Sequence, residues 1–130
     1  MTYRILVIGS KDWEDLDTVR HAIFETWKNA GSPKNTVLVS GGAEGAEIYA
    51  SICGDAFGFT VERHKANQKL ERSAGAQRNQ RMVGLGANVC LVFARVGSKG
   101  TANCINLVKK ARIPIENYAE YPDLKEFVKD

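Results

Sequence analysis

Apolar residues arrive along this chain in two rhythms that take turns: short unbroken runs and stripes at helical spacing. Tyr3 to Ile8 (YRILVI) is a short β-rich run with Ile5, Leu6, Val7 and Ile8 contiguous, which suits a strand buried on both faces of a parallel sheet. From Leu16 the apolar positions Leu16, Val19, Ile23 and Trp27 recur at helical spacing, with Asp12 and Asp15 available as N-cap or first-turn acids. Gly31-Ser32-Pro33 closes that helix. Thr36 to Ser40 predicts a second strand, and Ala46, Tyr49, Cys53 and Ala56 form the stripe of a second helix that stops near Gly58. Phe59 to Arg63 reads as a third strand. His64 to Arg72 is polar and without period, a long connection of the kind that often carries function. Ser73 can cap a helix from Ala74 to Leu85, ended by Gly86. Ala87 to Ala94 (ANVCLVFA) is the most apolar run and predicts a central strand. A fourth helix turns Ala102, Ile105 and Val108 inward, and Ile113-Pro114-Ile115 predicts a last strand, at an edge because proline cannot donate to a ladder. The tail from Tyr118 runs through Tyr121-Pro122 into an amphipathic turn, Leu124 to Val128.

Strand and helix alternate five times. Right-handed crossovers then give an α/β fold: a three-layer, Rossmann-like open parallel sheet of about five strands with helices on both faces. Ligands of such sheets bind outside the carboxyl ends of the strands, where the strand order reverses. The turns at Gly9, Gly41, His64 and Gly97 all fall at such ends, which brings distant residues to one rim.

Composition narrows the class without naming a partner. At 130 residues and 14.3 kDa the chain predicts one domain, residues 1–130, about twice the size at which a single core becomes marginal. The net charge is +3, yet 18 Lys and Arg are interleaved with 15 acids instead of forming a block. That mixture suits an anionic small molecule better than a nucleic-acid groove. Cys53, Cys90 and Cys104 lie far apart inside apolar patterns and read as reduced core residues. No apolar run reaches the roughly 18 residues of a membrane helix, and Met1 leads straight into a strand with no signal-peptide core, so the expected location is cytoplasmic, with no membrane partner.

The candidate chemistry centres on Val37 to Glu47, VLVSGGAEGAE. An apolar strand breaks at Gly41-Gly42 and a helix pattern begins four residues later, leaving amide N–H groups bare at a helix start, where the helix dipole favours an anion. The spacing is neither the dinucleotide fingerprint nor the P-loop. A second turn of the same kind, Gly97-Ser98-Lys99-Gly100-Thr101, follows the most apolar run. The candidate ligand-binding residues are therefore Gly9, Ser10, Gly41, Gly42, Ala43, Gly45, Gly97, Ser98, Lys99, Gly100 and Thr101, joined by Arg78 and Asn79. Glycines allow close backbone approach, hydroxyls donate to phosphate oxygens, Lys99 is a mobile charge, and Arg78 can clamp phosphate or ribose bidentately. Asn79 can read a ribose hydroxyl or a base edge. Glu47 can complement the helix start or bond a ribose hydroxyl; alternatively Glu47 and Arg78 are a catalytic pair. Glu44 is expected to point to solvent. Trp13 reads as a packing residue before a stacking platform, His64 as a plain surface histidine, and His21 lies on the polar side of its helix. No zinc or iron site is legible, and no cofactor beyond a nucleotide ligand is expected.

Gly9-Ser10 with Trp13 and Asp15, GGAEGAE at 41–47, AGAQRNQRM at 74–82, GSKGTAN at 97–103 and Ile113-Pro114 together resemble the SLOG superfamily. The nearest branch is the small YspA-like, YpsA-related proteins common in bacteria and phages. The resemblance covers residues 3–116 in order and implies a Rossmann-like domain for nucleotides or nucleotide-derived ligands. It also implies a distant relation to the LOG phosphoribohydrolases and to the DNA-processing protein of natural transformation. In the LOG enzymes a glutamate after the glycine-threonine loop works with an arginine on a preceding helix. Arg78 is a counterpart of that arginine, but Thr101 is followed by Ala102, Asn103 and Cys104, so the glutamate is absent. Lys99 and Glu47 stand where the YspA-like pattern has arginine and aspartate, and both keep the charge.

The leading expectation is a nucleotide-ligand binding module, a sensor or a sequestering domain. The alternative is a hydrolase of a nucleotide N-glycosidic or phosphoester bond, weakened by the missing glutamate. Single-stranded DNA binding is the reading the sequence favours least. A homodimer or larger assembly is expected, through the tail from Tyr118 to Val128.

Overall fold

A computed structural model of the chain describes residues 2–41, 44–64, 74–95 and 99–118. Among the described residues nine elements alternate: β1 (Tyr3–Gly9), α1 (Leu16–Asn29), β2 (Thr36–Ser40), α2 (Ala46–Phe57), β3 (Thr60–Arg63), α3 (Ala74–Gly84), β4 (Val89–Phe93), α4 (Lys99–Lys110) and β5 (Ile115–Asn117). The strands form one all-parallel sheet in the order β3-β2-β1-β4-β5. This is the expected Rossmann-like fold. The expected tail beyond Tyr118, the Ser73 cap and most of the 64–72 connection lie outside the described residues.

The contiguous apolar runs feed both faces of the sheet because successive side chains point opposite ways. Leu6, Ile8, Val39, Cys90 and Val92 face α3 and α4, where Met82, Val83, Cys104, Ile105 and Val108 close over them. Ile5, Val7, Leu38, Val89, Leu91 and Phe93 face α1 and α2, against Val19, Ala22, Ile23, Ala46, Ala50 and Cys53. Strand β4 is buried at every residue and β1 occupies the middle of the sheet. All three cysteines are buried and free. Burial pushes the Cys53 and Cys90 thiols up, which keeps them inert. Among the described residues no helix is long and apolar enough to cross a membrane.

Local signals explain the boundaries. Asp15 caps α1, its carboxylate accepting from the Thr18 amide at 3.0 Å, and Gly58 (φ +80°) ends α2 in the left-handed conformation. Trp13 is a packing residue, edge-to-face with Phe93 at 5.6 Å.

Several expectations need correction. The buried stripe of α2 is Ala46, Glu47, Ala50, Ser51, Cys53 and Gly54, while Tyr49 is half-buried and Ala56 exposed. Small residues draw α2 down onto the sheet, and Gly54 sits so close to Leu38 and Val61 that a Cβ would lie 2.9 Å from each. Leu16 is exposed rather than inward, since α1 begins there beyond the edge of the core. Strand β3 starts at Thr60, not Phe59, whose ring joins Trp27 and Phe57 in an aromatic cluster. The last strand is shifted two residues on from Ile113-Pro114-Ile115: Pro114 contributes only its carbonyl, which accepts from the Cys90 amide at 2.8 Å. It is an edge strand, as its proline predicts.

Candidate functional site

Because every strand runs the same way, the turns after β1, β2, β3 and β4 share one rim of the sheet. Strand order reverses between β1 and β4, the switch at which such sheets bind ligands. A cleft of about 270 Å³ opens there, lined by Trp13, Glu14, Asp15 and Arg95.

One step away, where β2 ends, the rim holds a buried ion pair. Arg78 on α3 donates from Nη1 to Glu47 Oε1 on α2 at 3.0 Å, with the two side chains only 13% and 6% exposed. The partners come from opposite helical layers, so the pair ties the layers together over the strand end. Arg78 Nε donates to Asn79 Oδ1 at 2.8 Å, and Asn79 is itself buried. Two bonds therefore fix the guanidinium plane, while Nη2 is bonded to none of the described residues. The α2 backbone is fixed as well, because Ser40 and Ser51 hydroxyls both donate to the Glu47 carbonyl, at 2.8 and 3.1 Å.

Gly41 lies directly against this pair. A Cβ there would fall 1.6 Å from Arg78 Nη1 and 2.2 Å from Glu47 Oε1, so the first glycine of the turn is needed for space. On α4, burial pushes the Cys104 thiol up to about 12, with the nearby Glu47 charge adding and Arg78 opposing. The middle of α4, at Cys104, is therefore close enough to feel the charges of the pair. Thr101, in its first turn, is buried.

Gly9, Ser10 and Gly45 form a second group. A Cβ on Gly9 would meet Ala46 Cβ at 2.5 Å and the Phe93 carbonyl at 2.6 Å, and one on Gly45 (φ +79°) would meet the Ser10 carbonyl at 2.4 Å. These two glycines let the chain's own turns interlock. Ser10 is buried, and its hydroxyl accepts from the Arg95 amide at 2.7 Å while its own amide donates to the Phe93 carbonyl at 2.9 Å, joining the turns after β1 and β4. Glu44 is exposed, as expected. Gly42, Ala43, Gly97 and Ser98 lie outside the described residues, as does the side chain of Lys99; the backbone places Lys99 and Gly100 at the start of α4.

His64 is not the plain surface histidine its sequence context suggests. Its ring is 11% exposed, with Nε2 at 2.6 Å from Glu62 Oε1 and Nδ1 facing Arg81 Nε at 3.3 Å. Glu62 also receives both terminal nitrogens of Arg4, at 3.0 and 3.1 Å, while Arg4 Nε donates to the Gly86 carbonyl at 3.0 Å. Hydrogen bonds from Arg4, more than any other cause, hold the Glu62 carboxyl down at about 2. One signal was available in the sequence: His64 lies one residue past the end of β3 and two from Glu62, a spacing that puts both on one side of an extended chain.

Comparison with known proteins fits this architecture. The sequence profile described as the YspA, cpYpsA-related SLOG family matches residues 3–70. The chain belongs to that SLOG family. Gene 61 protein of Mycobacterium phage D29 is 37% identical over 125 residues, covering 92% of this chain and 98% of the phage protein. Among solved structures, DNA processing protein A from Helicobacter pylori, described for its single-stranded DNA binding mode, superposes with a TM-score of 0.69 at 17% identity. That match covers 88% of this chain but 64% of the larger protein. A structural-genomics protein designated TM1055 superposes with a TM-score of 0.60 at 16% identity, over 87% of this chain and 72% of that one. At these identities the two structures speak for the shared fold, and the SLOG assignment rests on the sequence.

Proposed function

We propose that this SLOG-family chain binds a nucleotide or nucleotide-derived ligand at the sheet rim, with an anionic group at the mouths of α2 and α4. The observation that carries the reading is the buried Arg78–Glu47 pair packed against the side-chain-free Gly41. A buried ion pair costs about as much in desolvation as it returns, so stability alone is a poor reason for it. What it does supply is an arginine held in one plane, with Nη2 bonded to none of the described residues, beside a helix start that favours negative charge. Phosphate is the group such a donor set suits, and ribose hydroxyls suit the neighbouring carboxylate and amide.

Glu47 serves here as a positioning residue. Hydrolysis would require it to carry a proton while Oε1 is occupied by Arg78 at 3.0 Å, and Thr101 is followed by no acid, so binding without turnover is the preferred reading.

The test is thermal unfolding against AMP, ADP-ribose, NAD, a cyclic dinucleotide and a single-stranded oligonucleotide. At least one phosphorylated nucleotide raises the midpoint in a saturable way, and Arg78→Lys, which keeps the charge but loses the fork, abolishes that rise. No shift with any nucleotide at millimolar concentration sinks the proposal. A shift with the oligonucleotide alone transfers it to the single-stranded DNA class of the Helicobacter pylori relative.

A further inference from the structure

We infer that the cleft between the turns after β1 and β4 holds the base of the nucleotide and selects guanine. The inference rests on the nucleotide reading above and adds which base is bound. The cleft, about 270 Å³, is lined by Trp13, Glu14, Asp15 and Arg95. Pockets for drug-sized ligands run from about 300 Å³ upward, so this one has room for a single ring system and not for a whole dinucleotide. It opens between β1 and β4, one and a half strand spacings, roughly 7 Å, from the end of β2 where Arg78 stands. A ribose bridges a span of that order between a base and its phosphate.

Two of the four lining residues are committed to the protein. Trp13 is buried, and its Nε1 donates to the Asp15 carbonyl at 2.9 Å, so its ring is part of the floor. Asp15 accepts from the Thr18 amide with one carboxylate oxygen and from the Thr18 hydroxyl with the other, as the cap of α1. The other two carry opposite charges on different walls. Glu14, exposed in the turn after β1, has a carboxylate bonded to none of the described residues. Arg95, in the turn after β4, is anchored at its backbone, where its amide donates to the Ser10 hydroxyl at 2.7 Å. Its side chain is 41% exposed, with Nη1 3.4 Å from the Asp12 carbonyl and 3.6 Å from the Asp12 carboxylate.

The two walls ask for a particular ring. A carboxylate only accepts hydrogen bonds and a guanidinium only donates them, so a base held between Glu14 and Arg95 must offer donors on one edge and acceptors on another. Guanine does. Its N1–H and 2-amino group lie side by side on one edge, and O6 and N7 lie side by side on the next, the pair that arginine matches with two bonds. Adenine sets an amino group beside a lone pair on both edges, so each wall meets one partner and one like group. Pyrimidines lack the N7 edge altogether.

Thermal unfolding of the full chain against GMP, IMP and AMP tests the inference. GMP half-saturates the rise in midpoint at a concentration about tenfold or more below that of AMP, and IMP, which lacks the 2-amino group, falls between them. Glu14→Ala abolishes the advantage of GMP over IMP, and Arg95→Ala weakens both nucleotides. Both side chains reach solvent, so the two variants keep the circular dichroism spectrum of the wild type. GMP no better than AMP, or a preference for GMP that survives Glu14→Ala, overturns this inference and leaves the Arg78 site standing. No rise with any nucleotide removes the site itself, and this inference with it.

Discussion

Among the described residues two arginine–glutamate pairs sit on this small sheet, and their differences say more than their likeness. Arg4 and Glu62 lie on the α3/α4 face of the sheet, Arg4 in line with Leu6 and Ile8, Glu62 in register with Val39. Arg4 spends three nitrogens inside the protein, two on Glu62 and one on the Gly86 carbonyl, and His64 occupies the same carboxylate. The pair is half-open to water, its side chains 22% and 32% exposed. It is a brace, complete as it stands. Arg78 and Glu47 are deeper, make one direct bond, and rest against a residue that must lack a side chain. The same two residue types differ in which of the arginine's nitrogens are committed: Arg4 bonds through Nε and both terminal nitrogens, Arg78 through Nε and Nη1.

The sharpest way to break this contrast is to truncate each arginine. Arg78→Ala takes the guanidinium away from the buried Glu47 carboxylate and destabilises the protein by about 3–5 kcal/mol in urea unfolding. Arg78→Leu combined with Glu47→Leu recovers most of that loss, because two apolar side chains replace two desolvated charges, yet gives no thermal shift with any nucleotide. If the double variant is as unstable as the single one, the pair is structural after all.

Gly41→Ala comes next. The atoms its Cβ would strike are the far ends of flexible side chains, so the backbone survives and the ion pair is displaced. The expected cost is about 2 kcal/mol, together with loss of the nucleotide-induced shift. Arg4→Ala costs a comparable or smaller amount, about 1–2 kcal/mol, because its partner is half-exposed and water replaces part of the interaction. Nucleotide binding by this variant is unchanged.

Acid separates the pairs more finely. Glu62 is held at about 2 in the folded protein against an ordinary 4.5, so the stability it contributes is complete above about 4.5 and is lost as pH falls toward 2. Urea unfolding of wild type and Arg4→Ala therefore converges across that window. A gap that stays constant with pH would show that Arg4 acts through its Gly86 bond and packing, not through Glu62. His64→Gln has the smallest effect, about 0.5 kcal/mol, since its amide can still donate to Glu62.

Most of the scaffold was legible from apolar rhythm because unbroken runs and four-residue stripes are dictated by burial on two faces or one. The departures occur where something other than hydrophobicity decides. The α2 stripe was misjudged because its inner side is chosen by size, with Ala50, Ser51 and Gly54 inward and Ile48 and Ile52 outward. Pro114 delayed the last strand by withholding a donor. Within the site, the glycine turn and Arg78 stood out as residue types, but their union with Glu47 joins positions 31 residues apart on opposite layers, which no local spacing encodes. The Arg4 brace was missed for the same reason, with Arg4 and Glu62 58 residues apart.

The buried Ser10 hydroxyl has an effect larger than its size. It sits on the seam where the winding of the chain changes direction, and its bond to the Arg95 amide stitches the two turns that would otherwise part there. A fold of this kind is most easily prised open at that seam. With the stitch in place the two turns are held together over the ends of β1 and β4, and the sheet presents a closed floor at that rim.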